Sequence, residues 1–162
     1  MRTSRPTASR RRGGRPAAAA LAVGVGVVGA ASGADVPVAY RVVDGAIPTP
    51  LAGLPGDPAR GKRIALDPER GNCVICHPMP IPDAEFYGDI GPDLAESGGR
   101  YGPGELRLRV VDPKALNPET IMPAYYRTEG LYRVLERYRG EPILTAQEVE
   151  DVVAYLATLK GE

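Results

Sequence analysis

The chain has no tryptophan, one phenylalanine, one histidine and two cysteines in 162 residues. Each scarcity excludes something. Without Trp, and with a single Phe, a core of the usual aromatic content is not expected, so something else must fill part of the centre. A structural zinc site wants four ligands, usually Cys or His, and the chain has three such residues in all. No strand pattern is long enough for a real sheet, and no internal repeat is present. What is abundant is glycine (20) and proline (17), near the level at which low complexity becomes a concern. They are spread among periodic segments, which points to long ordered loops of the kind that wrap a ligand.

Charge is unevenly placed. Residues 1–15 carry six arginines and no acid, and an apolar run from Ala17 to Ala31 and the small-residue sequence ASGA follow. Charged, apolar and small in that order is the pattern of a secretory signal peptide over residues 1–34, which implies export to the periplasm. The other reading is an uncleaved anchor, but the run has 15 residues, rich in Gly and Ala, where a spanning helix needs roughly 20. Ser9-Arg10-Arg11 matches a twin-arginine signal only over three residues. The leader holds six of the 20 basic groups and none of the 20 acids, which leaves the rest near −6 (14 minus 20). No basic tract remains, which argues against nucleic acid as a partner. Once the leader is cleaved, nothing is expected to insert stably in a membrane.

Residues 35–55 contain four prolines and no helical period, and read as an extended arm lying on this domain or on a partner. Residues 56–162 form the expected main domain. Asp57-Pro58 looks like an N-cap with Pro at the first helical position, starting a helix to about Leu66 in which Gly61 allows another helix close. Pro78 to Gly104 is mostly loop, GELRLRVVDP a short helix or turn, and NPETIMPAYYR loop again. Thr145 and Glu148 form a capping box, and Val149, Val152, Val153 and Leu156 recur at helical spacing, giving a helix from about Ala146 to Leu159. The expected architecture is mainly α, a few helices joined by Gly/Pro loops.

GNCVICHPMP, residues 71–80, holds both cysteines and the only histidine. Cys73-Val-Ile-Cys76-His77 fits the C-x-x-C-H pattern of covalent haem attachment. Two thiols three residues apart on one turn can form thioethers to the two vinyl groups of a haem, and the adjacent His77 can then reach the iron. A thioredoxin-like dithiol also uses C-x-x-C, but within a βαβ pattern absent here. A disulfide across two intervening residues makes a small strained ring. Zinc lacks a ligand. Covalent haem c therefore accounts for the stretch best, and export agrees with it.

An iron held by one His has a second axial position. Met79 is tethered on the His77 side. Met122 lies 45 residues beyond His77 in a proline-bounded loop, enough chain to cross the haem edge. It reads as the second ligand, or otherwise as an ordinary core methionine. His/Met coordination raises the reduction potential and fills both axial sites, which suits electron transfer. The ring N–H of a ligating His needs a partner. The Pro92 carbonyl, in Gly91-Pro92-Asp93-Leu94, is a candidate, with Leu94 packing on the ring. The same residues also read as a plain proline turn. With both thiols and the imidazole consumed, no Cys/His mechanism is left to this chain, and scattered acids such as Asp89, Asp93 and Asp112 read as solvated surface. What remains is one-electron transfer, with no catalytic residue of its own.

The order of helix, C-x-x-C-H, G-P-x-L, Met loop and capped last helix resembles class I cytochromes c over about residues 56–160. The stretches GNCVICHPMP, YGDIGPDL, LRLRVVDPKALNPETIMPAYYR and YRGEPILTAQEVEDVVAYLATL resemble more narrowly the SoxX family, the small monohaem subunit of the periplasmic sulfur-oxidising SoxAX cytochrome. The resemblance implies a class I cytochrome c fold around one covalent haem c, with Cys73 and Cys76 as thioethers and His77 and Met122 as axial ligands. It further implies a SoxA-like cytochrome partner, a transient SoxYZ-like carrier and a downstream cytochrome c. The complex would be an L-cysteine S-thiosulfotransferase that joins thiosulfate to a carrier cysteine, and this chain would accept the electrons. Ala65 stands where many class I cytochromes have an aromatic. The alternative is a free, diffusible class I cytochrome c shuttle.

Overall fold

The computed structural model describes residues 37–82, 84 and 86–161, so the leader expected at 1–34 and the first two residues of the arm lie outside the described residues. Helix α1 runs from Pro58 to Leu66. Asp57 caps it, its carboxylate accepting from the Ala59 and Arg60 N–H groups at 2.8 and 3.2 Å, and Pro58 supplies a preset φ at the first turn. Helix α4 spans Ala146–Thr158. Both arms of its capping box form: Thr145 Oγ accepts from the Glu148 N–H, and Glu148 accepts from the Thr145 N–H at 2.8 Å. The valines at helical spacing are buried. Leu159, expected as the last helical residue, instead takes an extended backbone at the C-cap.

α1 crosses α4 at very short range. The buried residues of α1 are Gly61 and Ala65, four apart and so on one face. A Cβ placed on Gly61 would sit 2.0 Å from the Asp151 carbonyl oxygen and 2.8 Å from the Tyr155 Cβ. Only glycine permits this approach. Ala65, fully buried, continues the same narrow face.

Helix α3, Pro103–Val111, packs against α4, with Leu106, Leu108, Val110 and Val111 all buried. Its Arg107 is buried too. Arg107 pairs with Glu150 of α4 through two hydrogen bonds of 2.8 and 2.7 Å and donates a third to the Ile47 carbonyl. Glu150 also accepts from the Leu51 N–H at 2.8 Å. A charge pair removed from water stabilises a fold only when its remaining donors and acceptors are filled. Here backbone groups of residues 37–55 fill them.

That settles where the described part of the proline-rich arm lies. Ile47 and Leu51 are buried in the core, the Ile47 N–H donates to the Gly104 carbonyl at 2.9 Å, and the Val38 N–H donates to the Tyr126 hydroxyl. The segment packs on its own domain. It turns back at Asp44-Gly45, both at positive φ, a hairpin dipeptide closed by a bridge between Val43 and Ala46.

A four-residue helix, α2 at Ser97–Arg100, was not expected from SGGR. Tertiary contacts form it: the Ser97 hydroxyl donates to the Leu156 carbonyl and the Gly98 N–H to the Leu159 carbonyl at 2.7 Å. Asp112, expected as solvated surface, is buried beside Arg127 at 3.2 Å. An arginine fifteen residues downstream, invisible to local reading, makes that burial tolerable. Asp89 and Asp93 are exposed as expected. Among the described residues there is no named strand, and no helix is long and apolar enough to cross a membrane.

Candidate functional site

The cysteine stretch is shaped by its own backbone. Asn72 takes a left-handed conformation (φ 46°), which Asn tolerates better than most residues, and a single 3₁₀ turn follows at Cys73–Ile75. The Cys76 and His77 N–H groups both donate to the Cys73 carbonyl. A second strand of chain is laced to this turn: Gly88 N–H to the Val74 carbonyl (2.8 Å), Gly91 N–H to that of Cys76 (2.7 Å), and Leu94 N–H to that of Pro78 (3.0 Å).

This lacing brings Pro92 to the histidine. His77 Nδ1 lies 2.7 Å from the Pro92 carbonyl oxygen. A carbonyl only accepts, so the proton sits on Nδ1, and the Nε2 lone pair is left for a metal. Gly91 makes the contact possible, since a Cβ there would stand 2.3 Å from the His77 ring. The expectation of a Pro92 partner for His77 therefore has its geometry here.

Met122 reaches the same cavity on a loop. Its N–H donates to the Thr120 hydroxyl at 3.2 Å, and Lys114 Nζ donates to the Thr120 carbonyl. Just beyond, the Tyr125 N–H donates to the Val110 carbonyl and the Leu144 N–H to that of Tyr125. The Tyr125 hydroxyl donates to the Gly71 carbonyl at 2.8 Å, clipping the methionine loop to the start of the cysteine stretch.

All six residues singled out from sequence, Cys73, Cys76, His77, Pro92, Leu94 and Met122, line one cavity of about 590 Å³. Leu106 and Val110 of α3 and Leu144, Val152 and Leu156 near or on α4 form much of its wall. Met79 is a buried core residue outside that lining. At the mouth, Ile90, Leu116 and Ile121 are exposed. Two arginines are among the cavity residues that escaped the sequence reading. Arg100 donates to the Asp93 carbonyl at 2.8 Å. Arg109 donates to the Glu105 carbonyl and stacks 3.7 Å above the Tyr101 ring. No local pattern marks them; the available signal was that a group with two carboxylates needs cations beside it.

The donor set fits haem c. The volume falls within the roughly 300–1,000 Å³ of cofactor sites. The wall is mainly apolar, the thiols, imidazole and thioether share it, and two guanidinium groups could meet the propionates. The other readings of C-x-x-C fare worse. Burial pushes the Cys73 thiol up to about 12, with the neighbouring Cys76 adding to it, whereas a dithiol redox centre needs a lowered thiol pKa. Burial likewise raises the Tyr125 hydroxyl. Among the described residues, no three His, Cys, Asp or Glu side chains are grouped to hold a metal ion by themselves.

Comparison with known proteins agrees. The family model for cytochrome c matches residues 58–160. Among solved structures, one chain of the crystal structure of SoxXA from P. pantotrophus is 41% identical, covering 75% of this chain and 94% of that one with a TM-score of 0.69. The c-type cytochrome SorU from Sinorhizobium meliloti is 28% identical over 65% of this chain and 92% of that one, with a TM-score of 0.42. No curated protein matches in sequence. The cavity, the family model and the likeness to the SoxXA chain lead to one assignment: the chain belongs to the cytochrome c family, as a SoxX-like class I electron-transfer cytochrome carrying covalent haem c.

Proposed function

We propose that this chain is the electron-accepting monohaem subunit of a periplasmic thiosulfate-oxidising complex, paired with a SoxA-like cytochrome subunit. The observation that carries the reading is the 41% identity to a chain of SoxXA across 94% of that chain. In this reading Cys73 and Cys76 would hold the haem through thioethers, and His77 and Met122 would ligate its iron. Bound in this way, haem c supplies a one-electron couple.

The chain's own side chains set the terms of that couple. His77, donating from Nδ1 to the Pro92 carbonyl, is held in one orientation, and its Nε2 gains basicity. Leu94, Leu106, Val110, Leu144, Val152 and Leu156 exclude water, which with a Met ligand favours the reduced state. Arg100 and Arg109, which line the same cavity, would meet the carboxylates of the cofactor. The exposed Ile90, Leu116 and Ile121 leave an apolar rim on which a redox partner can sit.

Joining thiosulfate to a carrier thiol forms an S–S bond and releases two electrons and a proton. With both of its thiols in thioethers, this chain has no sulfur for that bond. The bond-forming step of the L-cysteine S-thiosulfotransferase reaction therefore belongs to the SoxA-like partner and a SoxYZ-like carrier. This chain takes electrons singly and hands them to a downstream cytochrome c. Residues 1–34 would be the cleaved leader, 35–55 the arm and 56–162 the haem domain. N-terminal sequencing of protein recovered from the periplasm tests the cleavage.

One observation favours the second reading, a free shuttle. The described part of the arm is satisfied by its own domain, through Ile47, Leu51 and the Arg107–Glu150 pair, and so needs no partner to order it. Affinity purification of the native protein from the periplasm, with haem staining, decides between the two. Recovery with a second cytochrome chain supports the subunit. Elution as a lone monohaem species under gentle conditions defeats it.

A further inference from the structure

A second cavity, of about 310 Å³, shares no lining residue with the first. It lies in the loop between the methionine segment and α4, and its polar side chains are Thr128, Arg133, Arg139 and Tyr138. We infer that this loop is a binding site for a tetrahedral oxyanion dianion of the sulfate class. The inference is independent of the electron-transfer reading.

The arginines carry it. Arg60, Arg70, Arg107, Arg127 and Arg137 are each paired with a carboxylate. Arg133 and Arg139, by contrast, make no ion pair and no side-chain hydrogen bond among the described residues. Acids are close in sequence, at Glu129, Glu136 and Glu141, yet none lines the cavity. The other arginines of the segment already have acidic partners: Arg127 pairs with Asp112, and Arg137 pairs with Glu69 and lies over the Tyr138 ring. The cavity lining thus holds two guanidinium groups with no carboxylate partner among the described residues, in a chain whose acids outnumber its bases after residue 34.

The backbone is built around the same point. Gly130, Arg133 and Gly140 all take left-handed φ, at 65°, 59° and 79°. The other two non-glycine residues at positive φ are Asp44 and Asn72, types that tolerate it. An arginine held there is a local strain, and such strain gathers where a side chain must be presented. Guanidinium forks bind tetrahedral oxyanions through paired N–H···O bonds. Two of them balance a dianion, and the Thr128 hydroxyl adds a donor. Sulfate, thiosulfate and hydrogenphosphate share this chemistry.

Because the arginines are exposed, binding should be weak and salt-sensitive, in roughly the millimolar range at low ionic strength. The test is a titration of the haem-loaded, reduced protein, followed by amide and arginine resonances in nuclear magnetic resonance spectra. Sodium sulfate, thiosulfate and phosphate are each compared with sodium chloride at matched ionic strength. Saturable shifts confined to residues 128–140, weakened at least about tenfold in the double variant Arg133→Gln/Arg139→Gln with an unchanged visible spectrum, support the site. A preference for thiosulfate identifies a sulfur oxyanion as occupant, and equal response to all three a general dianion site. Equal shifts with chloride, or titrations the double variant leaves intact, overturn it.

Discussion

The helical frame and the loops that carry the cavity residues are held together in different ways. In the frame, α1 and α4 touch through a glycine with no room for a methyl group, and α3 meets α4 through a buried, fully bonded charge pair. In the loops, His77 is placed by one carbonyl and Met122 by a hydroxyl and a clip through Tyr125. The frame tolerates almost no displacement, because its contacts are backbone and buried charge. The loops are anchored at a few points, and much of their apolar surface faces the cavity. The frame specifies the fold, and the loops depend on what fills the space between them.

The largest effect should come from breaking the frame at its charge pair. Arg107→Ala leaves the Glu150 carboxylate buried with only the Leu51 N–H, and should lower stability by about 3–5 kcal/mol. Chemical denaturation of the haem-loaded protein measures it. The paired replacement Arg107→Met with Glu150→Leu should recover most of the loss, since no orphan charge then remains. A double variant as unstable as the single one would mean that the backbone bonds to Ile47 and Leu51, rather than the charges, dominate there.

Next in size is a lesion at the loop–frame boundary. Gly91→Ala places a methyl group against the His77 ring, and relief requires the ring or the Gly91–Pro92 backbone to move. Overpacking of this kind costs about 1–3 kcal/mol, with the helices left intact by circular dichroism. The sharper readout is spectroscopic: a displaced imidazole should alter the low-spin haem spectrum. An unchanged spectrum with lowered stability would separate the His77–Pro92 geometry from ligation. Met122→Ala should cost about 2 kcal/mol in packing, at the bottom of the range because the residue is only half-buried. Its distinctive effect is loss of the weak far-red band of His/Met ferric haem and a fall in reduction potential. Persistence of that band rules out Met122 as the ligand.

Legibility from sequence followed the same division, with one inversion. The starts of α1 and α4 could be read because their caps are local: Asp57 bonds two and three residues on, and Thr145 pairs with Glu148. Four of the six cavity residues, Cys73, Cys76, His77 and Met122, could be read although they lie on loops, because cysteine, histidine and methionine are so scarce that chemistry singles them out; Pro92 and Leu94 were singled out only through the G-P-x-L turn that follows His77. The tightest part of the frame could not be read. Arg107 and Glu150 lie 43 residues apart, and Leu51 and Glu150 lie 99 apart. Nothing in a linear pattern pairs one arginine among many with one glutamate. Arg100 and Arg109 were missed for the same reason, and α2 exists only because α4 receives its hydroxyl and amide.

The smallest expected effect concerns the other acid of α4. Asp151 accepts from the Asp57 N–H (2.8 Å), from Arg60 (2.7 and 3.0 Å) and from Gln147 (3.1 Å), and the Asp57 carboxylate lies beyond Arg60. Burial pushes its carboxyl upward, but the hydrogen bonds from Arg60, the Asp57 amide and Gln147 outweigh it and hold the pKa below the usual aspartate value. A carboxyl depressed in the folded state stabilises the fold fully above its unfolded pKa, near 3.9. That contribution is lost as pH falls through the lower, folded value. Asp151→Asn should therefore lower stability by about 1.5 kcal/mol at neutral pH, the low end for bonds to a charged group because Arg60 is solvated. The gap between variant and parent should close as the medium is acidified below pH 4. Urea denaturation of both proteins across that range measures it. A gap independent of pH would mean that Asp151 holds the α1–α4 crossing by shape and not by charge, alongside the close glycine contact at Gly61.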